Sequence, residues 1–314
     1  MKILITGVHG FVGSNLVKAL AEEHAIYGLD IVSPIKDGVR FTFGWDYLDK
    51  EGEIPEVDAI IHLAGKAHDT KNAAAADVYF KVNTELSKKI FDYFLKQPKC
   101  KKFVFFSTAK AAADKVDGIL TEDVTPSPVG PYGESKIAAE RYLLSKMEDA
   151  RSKSKDVYIF RPCMIHGPGN KGNLNLLYNV VKKGIPWPLG AFENRRTFTS
   201  IGNICFAVEG VLTKDVPSGI YNMGDDEALS TNELIEEICK SIGKKAHIWK
   251  LPKGMMNGVA KMGDKLHLPL NSERLRKLTE NYISSNEKIK KALGVEKMPV
   301  DAREGLKVTL DSFK

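Results

Sequence analysis

The chain has 314 residues, 43% hydrophobic and 27% charged, with a net charge of +6 at pH 7. That size and balance suit a globular protein with a large core, built as one big domain or two unequal lobes. No apolar run approaches the ~20 residues that span a bilayer, the four cysteines include no CxxC pair, and the charge reads as mild and spread along the chain.

A membrane protein, a disulfide framework and a nucleic-acid binder are therefore not expected. Met1 runs straight into "KILITG" without the apolar region or cleavage site of a secretory signal, so a cytoplasmic protein with reduced thiols is expected.

In chain order, "KILITG" (2–7), "AIYGLD" (25–30), "AIIHLAG" (59–65), "KFVFFST" (102–108) and "VYIFRP" (157–162) read as strands. Amphipathic helical patterns lie between them at 11–23, 82–95 and 131–147. Short continuous apolar strands separated by helices predict an α/β fold, a doubly wound parallel sheet with helices on both faces. Beyond about residue 167 the rhythm loosens into "GPGNKGN" and "IPWPLG"; 230–243 reads as a helix capped by Ser230 or Thr231, and 250–285 resists assignment. The expected division is a Rossmann-type domain over 1–166, with part of 198–225 returning to it, and a smaller α/β lobe over 167–314.

The first strand and helix flank "TGVHGFVG", which places Gly7, Gly10 and Gly13 in the turn. Glycines there allow a tight turn, close approach of backbone to a pyrophosphate, and close packing of helix on strand. The phosphates would sit at the helix N-terminus, where free N–H groups and the helix dipole favour anions. Asp30 ends the second strand roughly 20 residues on, where a carboxylate accepts from a ribose 2′-hydroxyl and repels a 2′-phosphate. NAD is thus preferred over NADP. Asp46 in "GWDYLD" is a candidate adenine contact. His62 and His68 lack the partner spacing of a metal site, and no metal is expected.

In "SPVGPYGESKIAAERYL", Tyr132 and Lys136 stand four apart on one predicted helix face. The pair is either plain helix surface or a phenol held beside an ammonium for proton transfer.

Together these motifs resemble the extended short-chain dehydrogenase/reductase superfamily, and more narrowly the NAD-dependent nucleotide-sugar epimerase/dehydratase family of UDP-glucose 4-epimerase type. The resemblance rests on "TGVHGFVG" (6–13), "IIHLAG" (60–65), Asn83 in "YFKVNTE", "FFST" (105–108), "PYGESK" (131–136), "RPCMIHGPG" (161–169) and "NRRTFTSIGN" (194–203). It implies that Leu63, Ala64 and Gly65 line the nicotinamide side of the cleft, that Asn83 holds the surrounding loops, and that Arg196 meets a substrate diphosphate. It further implies cofactor contacts from Phe11, Val12, Ile31, Tyr47, Ser107 and Pro162. Ala109, Lys110, Asn173 and Arg276 would join Thr108 and Tyr132 around the substrate. A homodimer paired through the helices at 82–95 and 131–147 is implied as well, with Ile90, Phe91, Phe94 and Ala138 serving either that face or the sheet.

Departures from the family pattern are specific. "STAKAAAD" lacks the usual Tyr-Gly after the catalytic Ser/Thr, while Met164 and His166 replace an asparagine and a tyrosine.

A free tyrosine has a pKa near ~10 and is a poor base at neutral pH. A lysine one turn away, with the positive nicotinamide ring, would favour the phenolate. Tyr132 would then take the proton of a sugar hydroxyl as hydride leaves the same carbon, with Thr108 orienting the oxygen and Lys136 also reaching the nicotinamide ribose. The expected activity is reversible hydride transfer at C4 of a UDP-sugar. The alternatives are a UDP-4-keto-sugar reductase of a surface-polysaccharide pathway or a non-catalytic NAD sensor. The family's 4,6-dehydratases carry an Asp-Glu pair where this chain has Ala109 and Lys110, so elimination of water is not expected.

Overall fold

The structure, a computed structural model, describes residues 1–50, 52–67, 75–266 and 270–314. The chain opens with β1 (Lys2–Thr6), α1 (Phe11–Leu20), β2 (Ala25–Leu29), β3 (Val39–Phe43) and β4 (Ala59–His62). It continues through α2 (Ala76–Tyr79), a π-helical stretch over Phe80–Glu85, α3 (Leu86–Lys96), β5 (Lys102–Phe106), α4 (Ala109–Ala112) and β6 (Ile119–Leu120). Next come α5 (Pro131–Ser145), α6 (Met147–Ser152), β7 (Asp156–Pro162), β8 (Met164–His166) and α7 (Asn173–Lys182). Then follow β9 (Phe198–Ser200), α8 (Ile201–Thr213), β10 (Gly219–Met223) and α9 (Thr231–Ser241). The last elements are α10 (Lys253–Leu266), α11 (Ser272–Thr279), β11 (Ile283–Ser284), α12 (Glu287–Leu293) and α13 (Ala302–Asp311).

Seven strands form one parallel sheet in the order β10-β7-β5-β4-β1-β2-β3. This is the doubly wound α/β architecture expected from the strand–helix rhythm. Side chains alternate between its faces with the period of two that a strand imposes. Ile3, Ile5, Ile61, Val104 and Phe160 join one buried cluster with α1, α8 and α12, whereas Leu4, Ile60, Phe103, Phe105 and Ile159 join another with α3 and α5.

Both edge strands fall outside the five anticipated. β3, "VRFTF", leaves Arg40 and Phe41 exposed, so it lacks the continuous apolar run of a central parallel strand. β10 comes back from the second half of the chain to pair with β7.

Helices α7, α9 and α13 build a third cluster, in which Leu174, Ile235, Ile238 and Leu306 pack together. Ser230 caps α9 in a reciprocal box with Glu233. The segment that resisted assignment holds α10 and α11, packed through Met256, Ala260 and Leu275 over Leu189.

The sheet turns one face of α3 inward: Ile90, Phe91 and Phe94 are all 0% exposed within the second cluster. Those three side chains are core residues and leave α3 a polar outer face, where the Tyr142 hydroxyl of α5 donates to Asp92 at 2.7 Å. Phe91→Ala is expected to cost about 3–5 kcal/mol of stability in urea or guanidinium unfolding. The same variant should keep the wild-type oligomeric state, since its ring faces the sheet.

Candidate active site

The switch point of the sheet lies between β1 and β4, and the carboxyl ends of the strands there are where doubly wound sheets bind their ligands. Gly7, at φ +69°, turns the chain out of β1, and a Cβ on it would lie 3.0 Å from the Ala64 nitrogen beyond β4. A Cβ on Gly13 would lie 2.5 Å from the Gly7 carbonyl oxygen. These glycines are therefore fixed by backbone contact. Gly10 is the N-cap of α1 and offers no side-chain cap, so the first N–H groups of the helix, those of Phe11 and Val12 among them, stay available to an anion. Asp30 accepts from the His9 backbone N–H at 3.0 Å and from that of Ile31 at 2.7 Å. Its carboxylate thus closes the glycine turn and still keeps acceptor capacity for a hydroxyl.

A dinucleotide fits this cradle: a bare helix N-terminus for its phosphates, a carboxylate at the end of β2, and glycines where any Cβ would collide. Ile31 is 85% exposed beside it. Asp46 and Tyr47 lie on the short 3-10 helix Trp45–Asp49, where Asp46 pairs with Lys50 at 2.6 Å and the Tyr47 ring packs 5.3 Å from that of Phe43.

Tyr132 and Lys136 occupy the first turns of α5, with Pro131 at its start supplying a preset φ. The Lys136 ammonium is 4% exposed and donates to the Phe106 carbonyl at 2.8 Å. A Cβ on Gly65 would sit 3.1 Å from that nitrogen, so glycine at 65 makes room for the ammonium. Burial pushes Lys136 down to about 8, with the Glu140 carboxylate acting the other way. Thr108 follows β5 as the N-cap of α4, accepts from the Lys110 N–H at 3.3 Å and lies close enough to Tyr132 to influence its phenol.

Burial raises the Tyr132 phenol, with the Thr108 hydroxyl opposing that shift and Tyr79 adding to it. The expected phenolate rests on Lys136 and the nicotinamide ring together; in the protein alone, loss of hydration dominates.

Two buried networks hold these groups. Neither Glu140 nor Arg161 stood out in the sequence, yet they form an ion pair with both side chains at most 2% exposed. Arg161 Nε donates to Glu140 Oε1 at 3.0 Å, and the Ser107 hydroxyl donates to the same carboxylate. A buried charge pair of this kind is costly to break from one side, so it locks β5 and β7 to α5 beneath Thr108. Pro162, next to Arg161, is buried at the end of β7.

The second network centres on His62. Its Nδ1 meets Thr6 Oγ1 at 2.7 Å and its Nε2 meets Ser87 Oγ at 2.8 Å. Ser87 donates onward to the Asn83 carbonyl at 2.7 Å, which leaves Nε2 as a donor, while Thr6 Oγ1 accepts from the Leu63 and Ala64 N–H groups. The Asn83 side chain then joins Lys66 to Ser135 on α5. His62 is neutral here, with burial and the neighbouring Lys136 pushing it from 6.5 down to about 3. His68 lies outside the described residues.

On the lobe side, Lys110 pairs with Asp114 at 2.9 Å, and Arg276 on α11 reaches the same carboxylate at 3.3 Å and Glu280 at 3.2 Å. Arg196 donates to the Lys277 carbonyl at 2.5 Å. Two basic side chains expected around the substrate, Lys110 and Arg276, thus share one acid, Asp114, which did not stand out in the sequence. Ala109 is buried with Cys163 and Tyr282, and Asn173 is exposed at the start of α7.

The sequence model of the NAD dependent epimerase/dehydratase family matches residues 3–224. The chain belongs to that family. Its cofactor is accordingly NAD, and it is an enzyme of the epimerase and oxidoreductase kind. Among curated relatives, a UDP-glucose 4-epimerase from Vibrio cholerae is 32% identical over 278 residues, covering 80% of this chain and 78% of the relative. An N-acetyl-α-D-glucosaminyl-diphospho-ditrans,octacis-undecaprenol 4-epimerase from Escherichia coli O157:H7 is 27% identical over 267 residues, covering 82% and 77%. The crystal structure of UDP-glucuronic acid 4-epimerase from Bacillus cereus with NAD superposes with a TM-score of 0.74 at 20% identity, covering 100% of this chain and 98% of that one.

Within this epimerase/dehydratase fold, the His62 network makes a pH-dependent contribution to stability. Its native pKa lies below that of the unfolded chain, so as pH falls below 6.5 the unfolded state takes the proton first. Stability should therefore fall between pH 6.5 and about 3, and above 6.5 the group contributes no slope. Thermal melts across that window are expected to show a shallower acid limb for His62→Gln than for the wild type; identical limbs would reject the assignment.

Proposed function

We propose that this chain is a nucleotide-sugar 4-epimerase acting on a UDP-linked hexose. The observation that carries the reading is the placement of Tyr132 one helical turn from the buried Lys136 ammonium, which donates to the Phe106 carbonyl at the carboxyl end of β5, next to Thr108 and the glycine cradle. NAD, when bound, takes up the hydride of C4 and gives it back. Tyr132 removes the C4 hydroxyl proton, and Thr108 hydrogen-bonds the same oxygen so that its lone pair and the departing hydride are aligned. The Lys136 ammonium, held one helical turn away, supplies positive charge toward the phenolate and a donor toward the nicotinamide ribose.

Returning the proton from Tyr132 completes the cycle. The carbonyl at C4 must accept hydride on its other face for the configuration to invert, so the sugar turns while its nucleotide stays anchored. Arg196, Arg276 and Lys110 are suited to hold the diphosphate, since guanidinium groups bind phosphate in a bidentate manner. The UDP handle is supported by the Vibrio cholerae relative, a UDP-glucose 4-epimerase. Ala109 and Lys110 supply no acid and base for loss of water, which favours C4 hydride chemistry over dehydration.

The same reading includes a cytoplasmic homodimer joined along the outer faces of α3, the π-helical stretch before it and α5, where Phe80 of that stretch and Leu144 of α5 are 36% and 38% exposed. Light scattering should then give twice the chain mass; a concentration-independent monomer rejects this part.

The enzymatic reading is tested with purified protein and a panel of UDP-, dTDP- and GDP-hexoses and their 4-keto forms. The expected product is the C4 epimer of a UDP-sugar, with no 4-keto-6-deoxy sugar formed. Net, stoichiometric reduction of a 4-keto sugar by added NADH would favour the ketoreductase instead. Tyr132→Phe should lower turnover by at least about 100-fold, the lower end of what a general base contributes, while leaving NAD affinity close to that of wild type.

A further inference from the structure

The positive charge of this chain is concentrated in one segment. Between Lys244 and Lys277 there are nine Lys or Arg and two Asp or Glu, a surplus of seven, whereas the whole chain carries +6. The expectation of an even spread therefore fails: the rest of the protein is close to neutral, and the lobe carries the excess.

Helix α10 lies in the middle of this segment and is amphipathic in an unusual way. Met256, Ala260 and Gly263 are buried on its inner side. A second apolar row faces outward: Met255, Val259, Met262 and Leu266 are 48%, 36%, 52% and 62% exposed. At 3.6 residues per turn these four fall within an arc of roughly 60°. Lys261 and Lys265 border the row on its outer side, and Trp249, 54% exposed, precedes the helix. Among the described residues none of Lys250, Lys253, Lys261 or Lys265 forms an ion pair. The neighbouring acid, Asp264, is turned into hydrogen bonds with Ser272.

We propose that α10 seats the lobe on an anionic membrane surface. A row of Met, Val and Leu flanked by lysines is the composition of a helix lying in the interface plane, with its apolar side at the acyl boundary and its ammonium groups reaching the headgroups. Charge decides among possible occupants. A second copy of this chain docked on the same face would set two surfaces with a surplus of seven against each other, which is repulsive. A nucleic acid would satisfy the lysines and leave the apolar row in water. An anionic bilayer satisfies both. Among the described residues no helix is long and apolar enough to cross a membrane; the absence of a spanning run, from which no membrane partner was expected, does not bear on a helix that lies flat.

The seat is also close to the cleft. α10 packs on α11 through Met256 and Leu275, and α11 carries Arg276, which reaches Asp114. The inference does not depend on the sugar-nucleotide reading.

The test is flotation of the full-length protein with phosphatidylcholine vesicles, with and without phosphatidylglycerol. The wild type should float with the anionic vesicles, weakly or not at all with neutral ones, and less as salt is raised. Combined Met255→Gln, Val259→Gln, Met262→Gln and Leu266→Gln should lower the partition by about tenfold or more, with circular dichroism and NAD binding unchanged. Lys261→Gln and Lys265→Gln, at exposed positions away from the core, should each lower it roughly fivefold, which keeps the test decisive should the quadruple variant misfold. Failure of the wild type to float with anionic vesicles overturns the proposal, as does flotation indifferent to the lysine changes. A dimer that the glutamine variant converts to monomer also overturns it, because a second copy would then cover the row.

Discussion

Polar groups taken out of water need hydrogen-bond partners, and a chain of hydrogen bonds from Thr6 through His62, Ser87 and Asn83 to Ser135 supplies them between the glycine turn and α5. It runs across β1, β4, the π-helical stretch and α5, elements far apart in sequence. At one end, Thr6 fixes the Leu63 and Ala64 N–H groups beside the glycine turn. At the other, Asn83 meets Ser135, which itself donates to the Tyr132 carbonyl. The cofactor cradle and the helix bearing the phenol are thus parts of one network. The π-helical stretch places Asn83 inward at the position where regular α-helical hydrogen bonding is interrupted, a local cost accepted at functional sites.

The same low-polarity setting explains the electrostatics. Burial raises the Tyr132 phenol and lowers the Lys136 ammonium, so each group is moved toward its neutral form. The two groups are thereby moved apart, so in the protein alone the phenol keeps its proton, and a positive charge placed nearby favours the phenolate. Glu140 sits one turn beyond Lys136 and is itself consumed by Arg161 and Ser107, which keeps a negative charge close without exposing it to substrate.

The lobe contributes a different kind of order. Arg276 and Lys110 share Asp114, linking α11 to α4 and the residues that follow it. These pairs are only partly buried and therefore individually weak, so a diphosphate can compete for the same basic groups at little cost in stability.

By itself the sequence determined the parallel α/β sheet and the glycine turn, the acid at the end of β2, and the Tyr132–Lys136 pair with Thr108. Each of these is a local pattern, read from strand and helix periods or from a fixed spacing, apart from Thr108, which the family resemblance implied. Only the tertiary structure decided the rest. Glu140 and Arg161 are unremarkable charges until β7 and α5 bury them against each other, and His62 is a lone histidine until Ser87 and Thr6 flank it. Ile90, Phe91 and Phe94 admitted two faces until the sheet covered them. The surplus of charge over 244–277 was countable in the sequence, but the outward apolar row of α10 was hidden, because two apolar rows on one helix read as a single broad face until packing buries one and leaves the other in water. Long-range burial selects a partner for each such group, and no short stretch of sequence encodes that choice.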